Sequence, residues 1–317
     1  DAGCQTTVDG YTPTDGAVDA YYRANVEFEL SEPDDSAFVT LTDSSGADVS
    51  GENSFSEDGE TAYFIPDASL SPSSTYTATI SFCDGEQTPS ISFTTSPLGT
   101  ALDCDPTDET YNVNLGDARF VEPEGVGELL LGSLESDILM GVLGATDSDL
   151  DFMGAISEEG GSAQDFCTPT IDFPTADFSE APFFTVGPQD TQLSIAGVSA
   201  EISNLMISGD FASDCSFFGG GVLSGELDAR VLAPVLIDLV GTDDPDDVCS
   251  MVATFNVACE PCSSDGAEYC IMLLADQITA DAQEGALECV YADSCHEACA
   301  ESVHNEECDV ENYPVCE

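Results

Sequence analysis

The sequence predicts a mainly β protein, in which an N-terminal β-sandwich precedes a second β-rich domain with one or two helices. Short runs that alternate apolar and polar residues recur along the chain, and a period of two is typical of half-buried strands. The 317 residues suffice for about two domains at roughly 150 residues each. Fourteen cysteines, concentrated after residue 248, predict a disulfide-rich, partly helical C-terminal segment.

The first domain, residues 1–97, is predicted from about seven short strands. In the stretch TYTATISF at 75–82, Tyr76, Ala78 and Ile80 fall on one side and hydroxyl residues on the other. Turn pairs such as Asp84-Gly85 separate such runs at short intervals. Seven short strands over roughly 90 residues with regular turns indicate an immunoglobulin-like β-sandwich.

Four motifs here resemble the Ig-like domain found in bacterial S-layer and other surface proteins. They are Pro-x-Asp-Gly at 13–16, a proline-bearing strand end at 31–33, Leu-x-Pro-x-x-x-Tyr at 70–76 and Phe-Thr-Thr at 93–95. The resemblance covers the first third of the chain and implies an architectural or spacer module without an active site. That family does not normally need Cys4 and Cys83, and we expect a disulfide between them that anchors the N-terminus to the penultimate strand.

The rest of the chain resembles no family that we recognise. A linker is expected at 98–106 and the second β-rich domain at 107–248, where stretches such as 200–211 and 219–231 alternate like strands. Residues 125–145 suit either buried strands or a helix, and 231–241 favour a short helix. Residues 249–317 are expected to form a cysteine-rich part packed on the second domain.

The charge is extreme, because 63 acidic residues stand against three arginines and no lysine, for a formal net charge of −60. A negative charge of this size excludes electrostatic binding to nucleic acid or to anionic lipid. The acidic surface suits either high salt or the binding of cations. No run approaches the roughly 18 apolar residues that span a bilayer, so membrane insertion is not expected.

The cysteines indicate an oxidising compartment. The sequence starts at Asp1, which fits a protein secreted by a signal peptide no longer present, and we expect an extracellular or cell-surface location. All fourteen cysteines are disulfide candidates: Cys4, Cys83, Cys104, Cys167, Cys215, Cys249, Cys259, Cys262, Cys270, Cys289, Cys295, Cys299, Cys308 and Cys316.

The Cys-x-x-Cys of Cys259 and Cys262 allows three interpretations: a redox pair, half of a zinc site, or two structural disulfides. The stretch HEACA lacks the second histidine of a zinc-protease helix. The chain has two histidines, His296 and His304, and no Gly-x-Ser-x-Gly elbow. We therefore name no catalytic residue and do not expect an enzyme.

Two acidic stretches are candidate calcium sites, and calcium is the one cofactor that the sequence suggests. The first places carboxylates at EF-hand positions 1, 3, 5 and 12 but has Phe152 where the loop needs glycine. The second is the run TDDPDD. The candidate ligands are Asp147, Asp149, Asp151 and Glu158, and Asp243, Asp244, Asp246 and Asp247.

These observations favour a non-enzymatic extracellular structural protein, a subunit of a bacterial cell-surface or secreted filament, sheath or layer reinforced by disulfides. The expected partner is the chain itself, since heterologous head-to-tail contacts between copies give an open homopolymer. The alternative is a monomeric surface adhesion or ligand-binding protein in which the Ig-like domain is a spacer.

Overall fold

The computed structural model describes residues 5–56, 58–116, 118–122, 136–195, 198–232, 244–254, 257–283 and 285–290. The chain divides into two compact units, Asp1–Thr100 and Ala101–Glu317. The division falls inside the linker predicted at 98–106. Within the described ranges, no helix has the length and apolar character needed to cross a membrane.

The first unit is a sandwich of two antiparallel sheets. Its strands are β1 (Val8–Thr12), β2 (Val26–Leu30), β3 (Phe38–Asp43), β4 (Gly51–Phe55), β5 (Thr61–Pro66), β6 (Thr75–Ser81) and β7 (Ser90–Thr94). One sheet has the order β1-β2-β5-β4 and the other has the order β3-β6-β7. Four strands against three is the arrangement of constant-type immunoglobulin domains, so the predicted sandwich is confirmed.

Alternation along the strands builds the core of this unit. Phe28 and Ile80 are buried, and Tyr76 stacks on Phe93 with ring centroids 5.9 Å apart. The Tyr76 hydroxyl accepts a hydrogen bond of 2.9 Å from the backbone N–H of Ser71. A tyrosine near the start of the sixth strand, bonded to the backbone just upstream, is the tyrosine corner of immunoglobulin-like folds.

The second unit is built around a closed antiparallel barrel. Its strands are β8 (Thr110–Asn114), β9 (Arg119–Glu122), β10 (Ile138–Ala145), β11 (Asp149–Ile156), β12 (Ile171–Asp172), β13 (Ala176–Glu180), β14 (Phe183–Ile195), β15 (Val198–Phe211), β16 (Phe217–Asp228), β17 (Glu260–Pro261) and β18 (Glu268–Gln283); its helices are α1 (Ala229–Leu232) and α2 (Pro245–Ala253). Strands β8, β10, β11, β13, β14, β15, β16 and β18 pair in chain order. Because β18 then pairs with β8, these eight strands close, and closure removes the free edges of an open sheet.

The described part of the cysteine-rich region, which ends at residue 290, contributes the strand β18 to this barrel. The boundary expected at residues 248–249 falls inside α2, and β18 is the strand that closes the sheet. In the stretch 125–145, Ile138–Ala145 is a strand and 123–135 lie outside the described residues. Of the helix expected at 231–241, α1 covers the start and the rest lies outside the description.

Helix α2 covers an apolar cluster on the barrel. Val248 and Val252, one turn apart, are buried against a cluster that includes Ile202, Leu227 and Ile271. Residues i and i+4 share one face of a helix, which is why these two valines point the same way. The helix therefore belongs to the core of the second unit.

Residues 285–290 are fixed on the outside of β10 and β11. Leu287 packs in a cluster with Leu139 and Met153. The side-chain amide of Gln164 donates to the Glu288 carbonyl at 2.6 Å and accepts from the Glu288 N–H at 2.9 Å. This pair of bonds imitates a strand partner and holds the segment in register.

Candidate functional site

The barrel interior is the first candidate, because eight strands enclose either a packed core or one small ligand. Six aromatic side chains pack together inside it, with neighbouring ring centroids 5.0 to 6.5 Å apart. They are Tyr111, Phe152, Phe178, Phe184, Phe211 and Phe218. Most of these pairs are tilted or edge-to-face, the preferred geometries of aromatic rings. This part of the interior is filled.

Tyr111 carries the one polar group of that aromatic cluster. Its hydroxyl donates to the Cys215 carbonyl at 3.1 Å, and its side chain is fully buried. Burial, and then the nearby carboxylates of Glu109 and Asp214, raise the pKa of Tyr111 far above its ordinary value. The phenol therefore stays neutral and acts as a structural donor, not as a proton-transfer group.

A small cavity remains elsewhere in the interior. It measures about 60 Å³ and is lined almost wholly by apolar groups, among them Val113, Met140, Ile207, Leu223 and Ile278. Pockets that bind drug-sized ligands measure roughly 300–1,000 Å³. The cavity is thus too small for such a ligand, and the barrel interior is mainly a hydrophobic core.

A groove on the barrel surface is larger, at about 450 Å³. It is lined by the amides of Asn112 and Asn114 and by the carboxyl groups of Asp137 and Asp281. The Asn112 amide donates to the Asp137 carboxylate at 2.8 Å. Amides and carboxylates can hydrogen-bond a polar ligand, and Ser136 adds a hydroxyl that makes no hydrogen bond to a base among the described residues.

The cysteines of the second unit form structural bridges. The structure contains disulfides between Cys104 and Cys215, between Cys249 and Cys259, and between Cys262 and Cys270. The two sulfurs of the Cys-x-x-Cys stretch therefore belong to different disulfides. The redox-pair and zinc interpretations of Cys259 and Cys262 are wrong, because neither sulfur is a thiol and the two are not bonded to each other.

The remaining described cysteines, Cys83, Cys167 and Cys289, are also disulfide-bonded. Cys83 lies in a short 3₁₀ turn, Cys83–Gly85, and its N–H donates to the Asp34 carboxylate at 2.7 Å. The other candidates lie outside the described residues, and the Cys4–Cys83 bridge stays a prediction. They are Cys4, Cys295, Cys299, Cys308 and Cys316, and the two histidines, His296 and His304, lie outside as well.

The first acidic stretch does not form an EF-hand. Asp149 and Asp151 stand on β11, which runs to Ile156, so Glu158 lies beyond the opposite end of the strand from Asp147. A strand rises about 3.3 Å per residue, which separates these carboxylates by far more than one ion can bridge. Asp149 instead accepts from Ser148, and Asp151 accepts from Thr175 at 2.9 Å.

The second acidic stretch begins a helix. Asp244 is the N-cap of α2, and its side chain accepts from the backbone N–H of Asp246 at 3.1 Å. Asp246 accepts from the Tyr269 hydroxyl at 2.9 Å, and Asp247 lies in the first turn. Carboxylates are favoured there by the unpaired N–H groups and by the helix dipole. Asp243 lies outside the described residues.

The side chains of one further group lie close enough together to share a metal ion. Among the described residues, the potential ligand atoms of Asp228, Cys262 and Cys270 lie within 4.8 Å of one another. Cys262 and Cys270 are bonded to each other, so neither offers a thiolate. The described residues thus bring together no three ligands suited to zinc, and the calcium candidates do not converge.

Several aspartates serve backbone turns. Asp34, Asp43, Asp177 and Asp214 each accept from the backbone N–H of the serine two residues further on. The hydroxyl of the same serine is the strongest of the influences that hold each pKa below its ordinary value. Many carboxylates are therefore ionised parts of turns, a structural role that needs no cation.

Two of the three arginines are held by acidic partners. The Arg119 guanidinium donates two bonds to Asp276, at 2.9 and 2.6 Å. Arg230 bonds Asp228 and Asp265, and its guanidinium lies 5.4 Å from the centre of the Tyr269 ring. Hydrogen bonds from Arg230 to Asp228 and then Asp265 raise its pKa further. The network around Arg230 was not predicted, because its members, from Asp228 to Tyr269, lie up to 41 residues apart in sequence.

Comparison with known proteins supports the assignment of the first unit as an Ig-like domain. Residues 4–95 match the family described as bacterial Ig-like domain, and no curated protein matches the chain significantly. Similar solved structures include the N-terminal part of the bacterial S-layer protein SbsC, 13% identical over 54% of this chain and 44% of that chain, with a TM-score of 0.26. Another is L,D-transpeptidase 3 from Mycobacterium tuberculosis in complex with a faropenem-derived adduct, 14% identical over 55% and 78%, with a TM-score of 0.22.

The chain thus spans less than half the length of the S-layer chain that it matches. TM-scores this low establish no common overall fold with either protein. The family match and the four-plus-three sandwich, however, describe the same stretch of chain. Residues 4–95 are therefore a bacterial Ig-like domain.

Proposed function

We propose that this protein is a non-enzymatic structural subunit of a bacterial filament, sheath or surface layer. The observation that carries the proposal is a second unit whose described interior is packed, with a cavity of only about 60 Å³, and is tied by disulfides. Serine hydroxyls that bond to aspartates, such as those of Ser36, Ser45 and Ser216, do so within turns, and the described residues bring together no three ligands suited to zinc. A packed and crosslinked unit of this kind suits a building block.

The proposed location is outside the cytosol, in the extracellular space or at the cell surface. Disulfides persist in oxidising compartments and are rare in a reducing cytosol. The bacterial Ig-like domain supports the bacterial origin of such a surface.

The proposed partner is a second copy of the chain. Contact between one surface and a different surface of the next copy repeats without closing and gives an open polymer. Each copy carries a formal charge of −60, so assembly needs salt to screen the repulsion or divalent cations such as calcium to bridge carboxylates. We therefore expect assembly to weaken in low salt with chelator.

The test is electron microscopy and sedimentation velocity of the native, secreted material. We expect a regular polymer that dissociates on dialysis into dilute buffer with EDTA. A single monomeric species at every concentration and salt level contradicts the structural role. A polymer that survives the dialysis contradicts the need for screening by salt or bridging by cations, but it agrees with the structural role.

The 450 Å³ groove supports a second candidate, a monomeric surface adhesion or ligand-binding protein with the Ig-like domain as spacer. In that case the protein is monomeric and binds cells or extracellular polymers. Substitution of Asn112 and Asp281 by alanine should then abolish binding, whereas Asp149→Asn, on a strand outside the groove, should not. Equal binding by both variants contradicts a role for the groove.

A further inference from the structure

The outer face of the β3-β6-β7 sheet is built almost entirely of hydroxyl residues. Strand register sets them in rows such as Thr40–Thr79–Ser90 and Thr42–Thr77–Ser92. We call this surface the hydroxyl face, and each of its members is exposed or half-buried. It comprises Thr40, Thr42, Thr75, Thr77, Thr79, Ser81, Ser90, Ser92 and Thr94.

This face carries no charge in a chain where 21% of residues are charged. The outer face of the other sheet in the same unit carries Glu27, Glu29 and Glu52, at positions opposite Thr12, Tyr63, Thr61 and Ile65. The contrast matters because any second copy also bears a net charge of −60. Like charges within a Debye length of about 8 Å repel, so copies approach most easily where charge is absent.

An exposed aromatic side chain lies at one corner of the hydroxyl face. Phe38 pairs with Ser81 across the strands, so it points to the same side, and 54% of it is exposed. A large exposed apolar side chain beside a charge-free surface is typical of protein interfaces, where aromatic residues are the usual anchors.

Both edges of this sheet are already occupied. The Asn53 side chain accepts from the Val39 N–H at 2.7 Å and donates to the Val39 carbonyl at 3.0 Å, which blocks the edge of β3. At the edge of β7, Gly16 donates to the Ser92 carbonyl and Thr94 donates to the Ala17 carbonyl, both at 2.7 Å. A partner therefore meets this sheet through its face and not by adding a strand.

We propose that the hydroxyl face, with Phe38, is the surface on which a second copy of this chain docks. A hydroxyl both donates and accepts, so such a surface can satisfy the same surface of another copy, which carboxylates cannot do. A basic partner would be drawn instead to the acidic surfaces. The inference rests on the proposed self-assembly and adds a second contact to it: this contact between identical faces is isologous and pairs two copies, whereas the heterologous contact that extends the polymer uses other surfaces.

The hydroxyl face keeps bonding capacity for a partner. Thr75 and Thr94 share one hydrogen bond of 2.9 Å, and Thr79 and Ser90 share one of 2.7 Å. Each pair has two O–H groups and uses one between them, so one donor and several lone pairs remain. Two such faces can therefore bond without leaving polar groups unpaired.

The size of the face predicts a weak contact. Three strands about 4.8 Å apart and up to seven residues long present roughly 300 Å² in projection. Stable specific interfaces bury about 800 Å² on each partner. The contact should therefore depend on concentration in solution and gain strength from repetition in an assembly.

The test is sedimentation velocity of the full chain in high salt, with two disruptive variants and two controls. Thr77→Asp puts a charge at the centre of the face and Phe38→Ser removes the anchor. Thr61→Asp and Ile65→Ser, where Ile65 is 40% exposed and lies opposite Glu52, make comparable changes on the outer face of the other sheet. Circular dichroism verifies that each variant is folded.

We expect wild type and both controls to self-associate and the two disruptive variants to associate at least about tenfold more weakly, as loss of an anchor implies. Equal association of the disruptive variants and wild type overturns the inference, as does equal weakening by the controls. Microscopy separates the two proposals. A native polymer that Thr77→Asp leaves intact refutes this surface alone, whereas a wild type that never associates refutes the polymer as well.

Discussion

Removal of the Cys104–Cys215 disulfide should destabilise the barrel more than removal of the Cys249–Cys259 or the Cys262–Cys270 disulfide. Its cysteines are 111 residues apart, and those of Cys262–Cys270 are 8 apart. The chain-entropy relation gives about 4.8 kcal/mol of unfolding free energy for the long loop and about 2.5 for the short one. In a unit of this size, 1 kcal/mol of unfolding free energy shifts Tm by roughly 2–4 °C. Loss of the long-loop disulfide should therefore lower the Tm of the barrel by about 10–19 °C.

The assay compares two double variants, Cys104→Ala/Cys215→Ala and Cys262→Ala/Cys270→Ala, by calorimetry. Cys215, Cys262 and Cys270 are buried, so alanine avoids placing a new polar group in the core. The thermal unfolding transition of the Ig-like domain should stay unchanged in both double variants, so it serves as an internal reference. Equal losses for the two pairs, or a larger loss for the short loop, would refute the reasoning that unfolded-state entropy sets the effect.

Three further predictions concern hydrogen bonds. Asp244→Ala should lower the unfolding free energy, measured in urea, by about 1 kcal/mol, because the N-cap is lost. Asp244→Asn should not lower it, because asparagine is an equally good N-cap. If Asp244→Asn does lose stability and calcium reverses the loss, Asp244 is a calcium ligand. Tyr76→Phe should cost about 1 kcal/mol through its bond to Ser71, and the exposed Tyr11→Phe should cost nothing measurable; equal effects would exclude a tyrosine corner. The hydrogen bond from the Ser36 hydroxyl, above all, holds the pKa of Asp34 below its ordinary value, so the stabilising contribution of Asp34 is present above that ordinary pKa and is lost as the pH falls through the lowered one. A Tm difference between wild type and Asp34→Asn that is constant from pH 6 to pH 2 would contradict this.

The sequence predicted the sandwich well, because a period of two is a local signal and seven short strands with regular turns indicate this architecture even though partners such as Val26 and Phe64 lie far apart in sequence. Closure of the barrel was not predicted, since it pairs Thr279 with Asn114, and periodicity does not specify partners so far apart. Asp149 and Asp151 show why the EF-hand arrangement of the first acidic stretch was wrong. Alternate acidic residues fit both an EF-hand loop and the outward positions of a strand, and spacing alone cannot separate them.

The arginines restrict how copies can hold together. Arg119 and Arg230 are already bound to acidic residues of their own chain, so they are poor partners for the carboxylates of another copy. Contact between copies should therefore rely mainly on uncharged groups with salt screening, or on divalent cations between carboxylates. The two mechanisms differ in 1 M NaCl with EDTA, where screening is strong but bridging cations are absent.

If the hydroxyl face dominates, assemblies should persist in 1 M NaCl with EDTA and dissociate in dilute NaCl. If cation bridges dominate, the assemblies should dissociate in both of these solutions and reassemble when calcium is returned. Thr77→Asp gives the matched control, because it should weaken only the first kind of contact. Assemblies lost in high salt with chelator and insensitive to Thr77→Asp would assign the cohesion to carboxylates and cations, and would leave the hydroxyl face without a role.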